Sequence, residues 1–252
     1  MAAVIFALVF GMPLTDLRLA AIFITVLMTQ LSISVLNEWA DRDRDAAAQR
    51  ARPVAIGRIA PSVALGLAIV FAIGVVPGAV SFGPTAAIVL LVGLAAGWAY
   101  DLWLKPTPWS FVPFAIAFPL LPVWVGLIAG RSPGSFAWLA AGGAFLAVAI
   151  HLADSLPDIR SDSAAGLRTL SVVLGVDHSM AAIAAGMMIG LLFVLFSLQF
   201  QPILGLAVSG AAVVAAIAVF LRGRQHPESV RWVVGTFAVL AALILITHLP
   251  RG

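Results

Sequence analysis

The chain has 252 residues, 62% of them hydrophobic and 10% charged, with a mean hydropathy of +1.11. A soluble domain carries roughly 25% charged residues, so this composition excludes a soluble enzyme and points to a polytopic membrane protein. The net charge of +3 is spread over short connections and there is no cysteine, which argues against a nucleic-acid partner and excludes disulfides and thiolate metal sites.

Apolar runs predict membrane spans at about 1–12, 17–38, 61–81, 84–102, 111–129, 136–157, 177–199, 201–221 and 230–249. That is eight full helices and a short first one, in a single transmembrane domain covering 1–252. The opening residues have no positive region and no small-residue cleavage site, so they do not read as a signal peptide. Placing the connections after the second, fourth, sixth and eighth helices on one face gathers Arg42, Arg44, Arg50, Arg52, Arg58, Lys105, Arg160, Arg168, Arg222, Arg224 and Arg231 there. The other face keeps Arg18, Arg131 and Arg251. The positive-inside rule assigns the richer face to the cytoplasm. All the acids except Asp16 share it, as do the two longest polar connections, near 38–60 and 158–176. Pro113, Pro119 and Pro122 predict a kink in the fifth helix.

Two acidic ladders stand out. Asn37, Asp41 and Asp45 are spaced i, i+4, i+8, a pattern that drifts only about 40° per step along a helix and keeps all three on one stripe. Asp154, Asp158 and Asp162 repeat that spacing, with Pro157 predicting a kink or fray between the first two. Glu38 and Asp43 thicken the first ladder. Carboxylates about 6 Å apart repel by roughly 3 kcal/mol at an effective dielectric near 20, so the groups need cations. Nearby arginines are one source. Oxygen-only clusters without His or Cys suit a hard divalent ion, above all magnesium, which fills its remaining positions with phosphate oxygens. A solvated loop with incidental ion pairs explains one ladder; two on one face argue for a site. A cation-coupled transporter is the competing function, but it predicts acids near the midplane and inverted repeats, whereas these acids hug one face. His151, one turn before Asp154, is either a hydrogen-bonded helix residue or a proton acceptor.

At these residues the chain resembles the UbiA superfamily of intramembrane prenyltransferases. The signature N-D-x-x-D-x-x-x-D is matched by Asn37, Glu38, Asp41 and Asp45, with Glu38 in place of an aspartate. "RPVAIGRI" supplies Arg52, Pro53, Gly57, Arg58 and Ile59. Tyr100 and Lys105 match a Tyr…Lys pair, one residue further apart than in the benzoate-type members. "DSLPDIRSDSAAGLRTLSVVLG", residues 154–175, matches the second aspartate signature. The resemblance implies an all-α, UbiA-like bundle of about nine transmembrane helices. It also implies transfer of a prenyl group from an allylic diphosphate to an aromatic or lipid-like acceptor within the lipid bilayer. Two magnesium ions would bridge the diphosphate, held by Asn37, Glu38, Asp41, Asp45, Asp154, Asp158 and Asp162. Lys105, Arg52, Arg168 and Asn37 would bind the diphosphate, and Asp41, Asp45, Asp154, Asp158 and Tyr100 would carry catalysis. Trp39, Trp98 and Trp103 are further aromatic candidates beside an allylic cation. A relative that binds prenyl diphosphate without turnover is the alternative within the family.

Overall fold

The computed structural model of the chain describes residues 2–131, 137–197, 202–223 and 225–248. Among them every regular element is helical: α1 (Ala2–Val9), α2 (Arg18–Ala47), α3 (Pro61–Ser81), α4 (Pro84–Ala99), α5 (Val112–Ile128), α6 (Ala137–Ser155), α7 (Ile159–Ala164), α8 (Leu170–Ser197), α9 (Pro202–Gly223) and α10 (Pro227–His248). The nine predicted spans correspond to α1–α6 and α8–α10. Six of the described helices are long and apolar enough to cross a bilayer. Arg224 and Arg251 of the charge tally lie outside the described residues.

Prolines open α3 and α4, where the missing N–H is no loss. Pro119 and Pro122 sit inside α5, which nonetheless runs as one helix from Val112 to Ile128. Pro157 acts as expected: α6 ends at Ser155 and a short 3-10 turn, Leu156–Asp158, follows. In α8 the helix is interrupted at Gly175 (φ 70°, ψ 175°), a left-handed backbone that glycine adopts without a Cβ clash. The predicted start of that span, residue 177, falls just after this break. α2 continues to Ala47, so the first ladder stands on helix and not in the connection that begins where the apolar run stops.

The helices pack as two cores. One joins α1 to α5 through Ile22, Val75, Leu90 and Trp124; the other joins α6, α8, α9 and α10 through Leu152, Ile183, Val219 and Val234. α5 and α6 pack together and join the halves. On the far face Arg18 donates to the Asp16 carboxylate at 2.7 Å and to the Ile128 carbonyl at 3.2 Å, and Arg131 donates to the Phe10 carbonyl at 3.0 Å. These bonds tie α1, α2 and α5 together, and hydrogen bonds from Arg18 hold the Asp16 carboxyl below its usual range. On the opposite face the even-numbered connections converge, as when the Arg168 N–H donates to the Pro106 carbonyl at 3.1 Å.

Candidate active site

α2 projects Asp41 and Asp45 inward, where they are 6% and 5% exposed. Carboxylates buried to that degree need paired charges or strong donors, and the neighbouring helix ends supply them. Asp41 accepts from Arg44 Nη2 at 2.7 Å and from Lys105 Nζ in a closer contact. Arg50 reaches both ladders: its Nη1 lies 3.4 Å from Asp45 Oδ1 and its Nη2 donates to Asp158 Oδ1 at 2.8 Å. Arg52 donates to Glu38 Oε1 at 3.1 Å. Asp43 points outward beside Arg42. The first ladder and Asp158 therefore face each other across one mouth on one side of the bundle.

Lys105 is delivered by an irregular turn. On an α-helix residues five apart are splayed by about 140°. Tyr100–Leu104 instead form a π turn, closed by the Lys105 N–H donating to the Tyr100 carbonyl at 2.9 Å. The i→i+5 closure brings the Lys105 ammonium to 5.6 Å from the Tyr100 ring centroid and absorbs the extra residue between them. The same turn buries Asp101, 5% exposed, whose Oδ1 accepts from Asn37 Nδ2 at 2.8 Å. Asp101 is a site residue that sequence reasoning missed; its signal is position, since it follows Tyr100 and stands four residues before Lys105.

Below the mouth lies a cavity of about 570 Å³ between α2, α4 and α5. Asn37, Glu38, Arg52, Tyr100 and Asp101 line its neck, and Leu90, Phe114, Phe118, Leu121 and Trp124 are among its apolar walls. Tyr100 meets Phe114 edge to face at 5.1 Å, and His151 lies 4.5 Å from Phe114. His151 is buried, with its Nε2 3.0 Å from Ser110 Oγ. Of the other aromatic candidates, Trp98 donates to Ser32 Oγ at 3.0 Å, Trp39 lies under Arg42 at 4.9 Å and Trp103 is exposed. None of the three lines the cavity; Tyr100 does, joined by phenylalanines that the linear sequence did not single out.

Asp154 is exposed at the end of α6, Asp162 is half-buried on α7 and Arg168 is exposed; none joins the ion-paired set. Among the described residues no three acidic or His side chains converge tightly enough to cage an ion. The chemistry of the neck still suits a hard cation completed by substrate oxygens. Its donors are all oxygens, and Glu38 Oε2 and Asp101 Oδ2 are buried without a partner, a cost that an approaching cation relieves.

The profile of the UbiA prenyltransferase family matches residues 1–241. A digeranylgeranylglyceryl phosphate synthase of Halobacterium salinarum is 28% identical over 151 residues, covering 60% of this chain and 55% of that protein. A protoheme IX farnesyltransferase of Leptospira biflexa is 37% identical over 106 residues, 38% of this chain and 35% of its own. The chain thus spans about half or less of the length of these curated relatives. Among solved structures, the apo UbiA homolog of Aeropyrum pernix superposes with a TM-score of 0.74 at 16% identity, covering 94% of both chains. The Archaeoglobus fulgidus UbiA homolog bound to GPP and Mg2+ superposes with a TM-score of 0.70 at 19% identity, covering 96% of this chain and 92% of that one. With its apolar helices and this match over nearly its full length, the chain is a multi-pass membrane protein that belongs to the UbiA prenyltransferase family.

Proposed function

We propose that the protein moves a prenyl group from an allylic diphosphate to a hydrophobic, aromatic or lipid-like acceptor, with diphosphate as the leaving group. The observation that carries this reading is a charged mouth, built from both halves of the bundle, set over an apolar cavity. Relatives named for digeranylgeranylglyceryl phosphate synthesis and protoheme IX farnesylation support a long isoprenoid donor and a bulky acceptor. The basic connections at the mouth support a cytoplasmic orientation for it by the positive-inside rule.

Asn37, Glu38, Asp41 and Asp45 on one wall, with Asp154, Asp158 and Asp162 opposite, would hold magnesium. When bound, the metal neutralises the diphosphate and makes it a better leaving group. Lys105, Arg50 and Arg52, each held by a carboxylate beside the mouth, donate to the non-bridging oxygens, with Arg168 at the rim. Charge-assisted bonds of this kind are roughly twice as strong as neutral ones. As the C–O bond breaks, positive charge grows on the allylic carbon. The Tyr100 face and its partner Phe114 meet that charge, and the apolar walls exclude the water that would quench it.

The test incubates purified protein with labelled prenyl diphosphates and a panel of acceptors, in magnesium or in EDTA. Diphosphate release with prenylated product in magnesium, lost in EDTA, is the expected result. Release that is indifferent to EDTA contradicts the metal assignment, and binding without product under every acceptor favours a non-catalytic relative.

A further inference from the structure

The connection from Lys105 into α5 is short and stiff. Pro106 and Pro108 each fix a backbone φ. Between them Thr107 Oγ1 donates to the Leu104 carbonyl at 2.8 Å and accepts from the Trp109 N–H at 3.2 Å. A 3-10 turn, Pro108–Phe111, follows and buries Ser110 to 1% exposure. From this turn Ser110 meets the other half of the bundle. Its Oγ lies 3.0 Å from His151 Nε2 on α6, and it accepts from the Leu170 N–H at 3.4 Å, where α8 starts. That N–H is a helix-start donor with no partner inside its own helix. A hydroxyl offers one hydrogen and two lone pairs, so one oxygen serves both partners. His151 and Leu170 bracket residues 152–169, the stretch that carries Asp154, Asp158, Asp162 and Arg168. A single buried hydroxyl therefore holds both ends of the second acidic stretch against the segment that carries Lys105.

We propose that Ser110 and His151 are a positioning pair that sets the width of the mouth, and so the span across which a diphosphate is held; this role rests on the prenyltransferase reading above. Neither side chain lines the cavity, so the pair acts through Lys105 on one wall and Asp158 on the other, not on the substrate itself. A ligand gripped from two walls is sensitive to their spacing, since a displacement of about 1 Å can cost about a hundredfold. Part of the link survives without the hydroxyl. The Arg168 N–H donates to the Pro106 carbonyl at 3.1 Å through backbone alone, and α5 still packs on α6. A loss of about tenfold in affinity is therefore the expected scale here, in a chain that still folds.

The chain has no cysteine, so the width can be measured directly. Ala46→Cys and Ser163→Cys, at exposed positions beside Asp45 and Asp162, place a spin-label pair across the mouth. Dipolar electron paramagnetic resonance gives the distance distribution in this background and with Ser110→Ala, His151→Leu or His151→Gln added. Binding of labelled geranyl diphosphate in magnesium is measured on the same variants without the labels. Ser110→Ala and His151→Leu are each expected to broaden or displace the distribution and to lower affinity about tenfold. His151→Gln, whose amide can pair with the hydroxyl in place of the ring nitrogen, is expected to keep both readings near wild type. A distribution or an affinity that stays unchanged in folded Ser110→Ala and His151→Leu overturns the pair while wild type still binds, leaving the prenyl diphosphate reading intact. An equal loss in His151→Gln and His151→Leu overturns it too, because packing and not the hydrogen bond would then be at work. Wild type that binds no geranyl diphosphate overturns the reading and the role together. Should Ser110→Ala fail to fold, the two His151 variants decide by the same readings.

Discussion

Arg50 joins a residue that is almost fully buried to one that is not. Asp45 has 7% side-chain exposure and Asp158 42%, and the guanidinium lying between them is 41% exposed. Screening makes the outer contact a weak contributor to stability, so the bridge matters through what it holds in place. Arg50→Gln leaves Asp45 without its cation and removes a donor from the mouth. Losing a charge-assisted hydrogen bond costs about 1.5–3 kcal/mol, so affinity for prenyl diphosphate in equilibrium binding is expected to fall about tenfold or more. Arg50→Lys should not restore it, since an ammonium lacks the fork that spans two carboxylates. Binding unchanged in Arg50→Gln removes Arg50 from the site. At this scale the sequence is legible in part. The i, i+4, i+8 spacing exposes Asp41, Asp45 and Asp158, because charge is rare in so apolar a chain. Which cation pairs with which acid depends on how the connections fold. Asp101 is hidden because an acid at a helix end passes for an ordinary boundary charge.

The elements follow the apolar runs closely, with two informative departures. α2 outlasts its apolar stretch by nine residues, from the predicted end at 38 to Ala47. Ala and Arg in that segment propagate a helix as readily as aliphatic residues do, so a change of polarity marks the membrane boundary and not the helix end. The π turn at Tyr100–Leu104 has no compositional signal at all; only its consequence, Lys105 over Tyr100, shows why it exists. Helix contacts rely on small residues, as expected where lipid removes the hydrophobic drive for association. At Gly186 a Cβ would lie 2.9 Å from the Phe145 carbonyl oxygen, a backbone atom that cannot rotate away. Gly186→Val should therefore force α6 and α8 apart and cost about 1–3 kcal/mol, the usual scale of overpacking. A lowered thermal midpoint of the purified protein in detergent checks this, and a midpoint equal to wild type shows that the two helices yield.

At the scale of the molecule, two helical cores meet, with the first acidic ladder and Asp158 facing each other across one mouth. The helix count and the face that carries the charges are legible beforehand, because crossing a bilayer forces long apolar runs and sorts basic residues by side. The cavity is not legible, for a physical reason: Phe114 and Trp124 would suit lipid as well as a tail pocket, so hydropathy does not mark the face that turns inward. The central claim is that both halves hold one diphosphate together. Its most direct test is magnesium-dependent binding of labelled geranyl diphosphate to wild type, Asp41→Ala and Asp158→Ala, with correct folding of each variant verified by its melting profile. Each substitution on its own is expected to abolish binding, since each takes away one side of the mouth. Full binding by either folded variant would contradict the account.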